Sequence, residues 1–199
     1  MPTYACNNEI TDVFYSGYTI ERIYGCDNRL SYQRGKPIAR VMVSDNPDWI
    51  YIMDYGNNSA VTRSDVETSL TTGELNSIIY LQILDGCVKI DDNAFKGITT
   101  LTKITTLGYD VTTVGKAAFS GCTSLTDPVY IGCNVTKINS NAFKDCPQLT
   151  RINVCPDVPP ALGTGAFDNT NDCPIVVPSG KASVYRYASG WSNYASRIQ

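Results

Sequence analysis

Asn93-Ala94-Phe95 returns as Ala118-Phe119, Ala142-Phe143 and Ala166-Phe167, each 24 residues after the last. Four of the chain's five phenylalanines stand in this series, which chance does not arrange. Other columns keep the same step. Ile90, Val114, Ile138 and Leu162 lie five residues before each Phe, and Leu101, Leu125 and Leu149 lie six after it. Ile83, Leu107, Ile131 and Cys155 form a further column, and Ile98, Cys122 and Cys146 another, with Gly97, Gly121 and Asp145 marking a turn just before it. A fixed period with apolar residues at fixed phase is the mark of a stacked repeat. One such unit cannot bury its own apolar face, so each must be covered by its neighbours. The four Phe, the Leu and Ile/Val columns and Cys122 and Cys146 are therefore the expected core, with the rings stacked inward along one axis. Burying such a ring is worth about 1.5–3 kcal/mol. Phe119→Ala or Phe143→Ala should cost about 3–5 kcal/mol, more than Phe14→Ala outside the repeat; equal losses of melting temperature would reject the register.

Within each unit the motif reads I-x-x-x-A-F-x-G-C-T-x-L, fullest from Val114 to Leu125. It resembles the BspA-type leucine-rich repeat of bacterial surface proteins. The closing stretches Val158-Pro159-Pro160-Ala161-Leu162, Ile175-Val176-Val177-Pro178, Val184-Tyr185 and Gly190-Trp191 resemble the end of that family as well. The resemblance implies a mixed, mostly β fold: a right-handed solenoid of about four 24-residue units, each a strand plus a short helical turn. It also implies a role in binding and adhesion.

Four segments are expected. Residues 1–62 form a small β-rich attachment domain, 63–77 a helical junction and N-cap, 78–173 the solenoid and 174–199 a C-terminal cap. In the first segment, Ile10 to Gly17 and Ile20 to Gly25 read as the two arms of a hairpin. Ala39–Val43 and Trp49–Tyr55 read as strands. The repeated I-x-x-V-F/Y-Y-x-G phrase resembles short β-modules in structural proteins of phages and prophages of gut Bacteroidetes, which implies attachment to other virion proteins through residues 1–62. Ser64-Asp65-Val66-Glu67 has capping-box spacing, with Ser64 as N-cap of a helix to about Leu70 and Gly73 as its stop. At the far end, Lys181 to Tyr187 reads as a short helix, and Trp191 and Tyr194 are expected to seal the last repeat.

The chain has no histidine, which removes Ser-His-Asp and Cys-His catalysis and every His-bearing metal site. No phosphate-binding Gly loop and no C-x-x-C pair occurs, and Asp168 to Asp172 lacks the acidic third position and sixth-position Gly of a calcium loop. No catalytic residue, metal or cofactor is assigned. A paired-carboxylate glycan hydrolase stays a remote alternative, since Asp91-Asp92 and Asp110 sit at turns and links where solvated charge is ordinary. Net charge is −3, with no basic patch to neutralise phosphates, so nucleic acid is not an expected partner. No run of 18 apolar residues occurs, and none crosses a membrane. Residues 1–9 lack the basic start and apolar core of a signal peptide.

Surface remains. Alternation on the second strand, with Ile104, Pro128 and Ile152 inward, turns Lys103, Asp127, Arg151 and Thr105, Val129, Asn153 outward. Seven of thirteen Tyr lie before Gly56, and Tyr18 and Tyr51 join the binding candidates because Tyr is enriched at recognition surfaces. The reading is a non-enzymatic recognition protein for a protein or glycan on a cell surface, carried on a virion as a fibre or tail appendage. The alternative is a bacterial surface adhesin. Eight Cys are present, and those in the Ile98 column are expected as buried thiols.

Overall fold

A computed structural model describes residues 13–15, 18–20, 36–54 and 59–199. By contact the chain divides into two units, Met1–Arg34 and Gly35–Gln199. In the first, β1 (Val13–Tyr15) and β2 (Tyr18–Ile20) pair antiparallel, Val13 opposite Ile20; β2 starts ahead of the expected Ile20 to Gly25 arm and meets it only at Ile20. The rest of the Ile10–Gly25 phrase lies outside the described residues.

The second unit opens with β3 (Lys36–Val43) and β4 (Asn46–Asp54), an antiparallel pair. Next come β5 (Ala60–Val61), the helices α1 (Arg63–Ser69) and α2 (Thr72–Leu75), and β6 (Ile78–Ile83). β3 pairs with β6, so residues 36–54, assigned above to an attachment module, are built into the sheet of the first coil and into the same apolar core. The break in packing falls at Arg34, not at residue 62.

The repeats follow as strand pairs: β7 (Lys89–Ile90) and β8 (Lys103–Thr106), β9 (Thr113–Val114) and β10 (Val129–Ile131), β11 (Lys137–Ile138) and β12 (Ile152–Val154), β13 (Ala161–Leu162) and β14 (Ile175–Val176). The first strands stack into a parallel sheet ordered β13-β11-β9-β7-β5. The second strands form two sheets, β4-β3-β6-β8 and β10-β12-β14. Each coil thus runs through a short strand, the Ala-Phe segment and a second strand, and this is a β-solenoid of about four repeat turns. α1 stands in the opening coil where later coils carry Ala-Phe.

The Ala-Phe segment, read above as a short helical turn, is a run of turns. Ala94, Lys96 and Ile98 N–H groups close i→i+3 bonds, while those of Asn93, Phe95 and Gly97 leave for Lys116, Ala118 and Ser120 carbonyls of the next coil. A helix cannot give away alternate donors and stay a helix. Two columns in this turn have positive φ. One is Asn93, Ala117, Asn141 and Gly165, the other Gly97, Gly121, Asp145 and Asn169. Gly, Asn and Asp hold that conformation cheaply, which is why they recur there.

Phe95, Phe119, Phe143 and Phe167 are fully buried and stacked, with ring centroids 5.4, 5.0 and 5.9 Å apart and interplanar angles of 6°, 11° and 22°. The Cys column is buried too. Cys122 Sγ and Cys146 Sγ donate to the carbonyls of Phe95 and Phe119, one coil back, at 3.4 and 3.3 Å. Both ends of the stack are closed. Arg63 Nη1 donates to Lys96 O at the N-terminal end. At the other end, α3 (Ala182–Tyr187) and a 3-10 stretch, Trp191–Arg197, bring Trp191 and Tyr194 against Phe167 at 5.8 and 5.7 Å. The Phe167 N–H has no further coil to reach and donates to Tyr194 Oη instead, at 3.2 Å.

The helix cap differs from expectation. Thr62, not Ser64, caps α1: Thr62 Oγ1 accepts from Asp65 N–H at 3.1 Å, and Asp65 Oδ2 accepts from Thr62 N–H at 2.9 Å. Gly73 does not stop a helix but sits in α2, capped by a second reciprocal pair, Thr71 and Glu74.

Candidate binding surface

The second-strand face follows from alternation. In β3, Ile38, Val41 and Val43 are buried while Arg40 and Met42 stand half-exposed between them; in β6, Ile78, Leu81 and Ile83 are buried, flanking Tyr80 and Gln82. Register aligns these outward residues. Tyr51 lies opposite Arg40, Arg40 opposite Gln82, Met42 opposite Tyr80 and Tyr80 opposite Lys103. Arg40 Nε donates to Gln82 Oε1 at 2.8 Å, and its guanidinium lies over the Trp49 ring at 4.5 Å.

Lys103 and Asp127 meet as an ion pair at 2.9 Å. The hydrogen bond with Asp127, then its charge, holds the Lys103 ammonium above its ordinary pKa, and Tyr80 and Tyr130 add smaller contributions in the same direction. Both partners are nearly half-exposed, so the pair adds little stability. It does set the position of the ammonium on the face. Arg151 is exposed and forms no ion pair among the described residues, Thr105 is exposed, and Asn153 is half-exposed in β12.

Val129 is a correction. Expected on the outward face, it is 1% exposed in the core. Pro128 has no N–H to donate toward β8; Thr126 and Asp127 both turn theirs to Thr102 O, and the ladder breaks and slips by one residue. Beyond the break Val129 pairs with Ile152 and Tyr130 with Asn153, so Tyr130, 57% exposed, takes the outward place. Tyr51 lies on this face beside Arg40. Tyr18 lies in β2, and its side chain is outside the described residues.

Cys155 is a second correction. Placed by period in the apolar Ile83 column, it is exposed and bonded to Cys133, with Cα atoms 4.6 Å apart. This disulfide ties the loop after β10 to the end of β12. Cys122 and Cys146 are buried free thiols, as expected for the Ile98 column; Cys173 is a buried free thiol as well, and Cys87 is buried.

The turn carboxylates are engaged with neighbouring groups. Asp91 pairs with Lys89 at 2.7 Å, and the hydrogen bond from Lys89 holds its carboxyl below the usual range. Asp92 Oδ1 accepts from Lys116 N–H at 2.7 Å and Asp110 Oδ2 from Gly86 N–H at 2.6 Å. Among the described residues no group of three or more acidic or Cys side chains is placed to hold a metal, and no helix is long and apolar enough to cross a membrane. Trp49, Arg40, Tyr80, Gln82 and Tyr130 were missed as surface candidates. A period-two pattern in Lys36–Val43 and Ile78–Ile83 could have found Arg40, Tyr80 and Gln82; the slip at Pro128 hides Tyr130.

Parallel coils of constant length, each tied to the next through an Ala-Phe turn ladder and a ring stack, define the leucine-rich-repeat class of solenoid. The model of the BspA type leucine rich repeat region (6 copies) matches residues 73–194, and the chain belongs to this family. Among curated proteins no sequence match was found. Repeats of this family are typically surface-associated and non-enzymatic, and they mediate adhesion and protein binding.

Proposed function

We propose that this protein is a non-enzymatic recognition module that binds a protein or glycan on a cell surface through the outward face of its second-strand sheets. The observation that carries it is the alignment of Trp49, Arg40, Gln82, Tyr80, Lys103 and Tyr130 on one face. Rigid aromatic rings beside Arg are the residue types that dominate recognition hot spots. Strands fixed by a stacked core hold their backbone in place, which lowers the ordering cost of binding. The disulfide at Cys133 and Cys155 supports work in an oxidising setting, a cell or virion surface. The finer reading places the protein on a virion, with the opening unit, Met1–Arg34, supporting attachment through the phage-like Ile10–Gly25 phrase. Incubating the full chain with bacterial cells tests the first claim: saturable retention is expected to fall in Tyr130→Ser while the melting temperature holds, and equal retention of both proteins overturns it. Mass spectrometry of purified virions tests the second; absence of the protein there leaves the bacterial adhesin.

A further inference from the structure

The face that carries the proposed recognition role is charged against the sign of the molecule. The chain has net charge −3, yet Arg40, Lys103 and Arg151 stand on this face, and among the described residues Asp127 is the carboxylate paired with them, through Lys103. Arg40 uses Nε on Gln82, and its two terminal nitrogens make no hydrogen bond among the described residues. Lys103 gives one contact to Asp127 and keeps further donors. Aromatic rings alternate with these cations: Trp49 beside Arg40, Tyr80 opposite Lys103, and Tyr130 one strand further on. Two shallow grooves lie elsewhere, one at Pro159, Val184 and Tyr187 and another at Asp172 and Arg197. The face is therefore suited to a long ligand lying flat, not to a small molecule in a cavity.

From this pattern we infer that the face binds an anionic polysaccharide, one bearing carboxylate or sulfate groups along its chain. The inference rests on the recognition reading above and adds the chemistry of the ligand. Neighbouring strands are about 4.8 Å apart, close to the length of one pyranose unit along an extended chain, so a polysaccharide crossing the strands meets a new row of side chains at each sugar. The apolar face of a sugar ring stacks on an aromatic ring. Arg offers a planar two-donor fork to a carboxylate or sulfate, and Lys a point charge. A peptide added as a further strand would need a sheet edge, and a sheet face presents side chains while its backbone groups are spent on neighbouring strands.

The test uses the full chain in affinity electrophoresis against polygalacturonate and dextran sulfate, with neutral dextran as control, at low and physiological salt. Retardation by either polyanion, weakening with salt and absent with neutral dextran, is expected. Lys103→Gln and Arg151→Gln should each weaken it roughly tenfold, the loss of one hydrogen bond to a charged group. Tyr130→Ser should weaken it without changing the salt dependence. All three positions are half-exposed or exposed, and unchanged melting temperatures certify the fold. Retardation by neutral dextran to the same degree, or polyanion binding untouched by all three variants, overturns the inference. So does an absence of retardation in a protein that still binds cells through a protease-sensitive partner, and that outcome leaves the recognition reading standing. Failure to bind cells or polyanions removes both.

Discussion

Ala117 shows what a single position in this repeat has to accept. Its counterparts are Asn93, Asn141 and Gly165, and all four have positive φ, Ala117 at 52°. An alanine held there costs about 1–2 kcal/mol. Ala117→Gly is expected to raise stability by about 0.5–1 kcal/mol once the greater freedom of glycine in the unfolded chain is subtracted, measured as a shift of the urea midpoint. A lower midpoint would show that the methyl group's buried packing outweighs its strain. The thiols make a second residue-scale case. Burial pushes Cys146 up to about 12 from an ordinary value of 9.0, and it raises Cys122 for the same reason. Unfolded thiols ionise first, so unfolding releases protons across that window. Stability is therefore complete below about pH 9 and falls as pH rises toward 12, by about 2 kcal/mol per buried thiol at about pH 10.5. Urea midpoints from about pH 7 to about pH 10.5 check this, and Cys146→Ala should flatten the slope.

Among the elements, α1 separates what spacing suggests from what geometry selects. Ser64 and Glu67 match a capping box on paper, yet Thr62 and Asp65 form one, because β5 delivers the chain to Thr62 in an extended conformation (φ −106°, ψ 163°). Thr62→Ala should cost about 1 kcal/mol. Ser64→Ala, at an exposed position, should stay within about 0.5 kcal/mol of wild type. Urea denaturation of the two variants side by side decides between the caps, and the reverse order would return the cap to Ser64. β10 carries the same lesson. Its inward residues were legible as a class, apolar and β-branched, but their phase depended on whether Pro128 counts as a rung. A one-residue slip moves every side chain of a strand to the other face, and this one moved Val129 inward and Tyr130 outward.

For the molecule as a whole, the stack is closed at both ends and clamped near its C-terminal coils. The Cys133–Cys155 bridge spans 22 residues of sequence. Closing a loop of that size stabilises a fold by about 2–4 kcal/mol, largely by restricting the unfolded chain. The double variant Cys133→Ser/Cys155→Ser should lose that much in urea, and a reductant should bring wild type to the same value while leaving the variant unchanged. No response of wild type to reductant would reject the bridge. Because each coil rests on its neighbours, the loss should fall on the whole cooperative unit from Gly35 onward rather than on one loop.

By itself the sequence determined the repeat, its length, the inward columns and the ring stack. Each of those is a statement about residues at equal spacing, and equal spacing survives into three dimensions when identical coils lie one on another. Only the tertiary structure decided which residues face out on the second strands, that Thr62 and not Ser64 caps α1, that β3 and β4 extend the solenoid sheet, and that Cys133 meets Cys155. Those depend on strand register, on a proline that breaks a ladder and on partners far apart in sequence, none of which has a period to betray it.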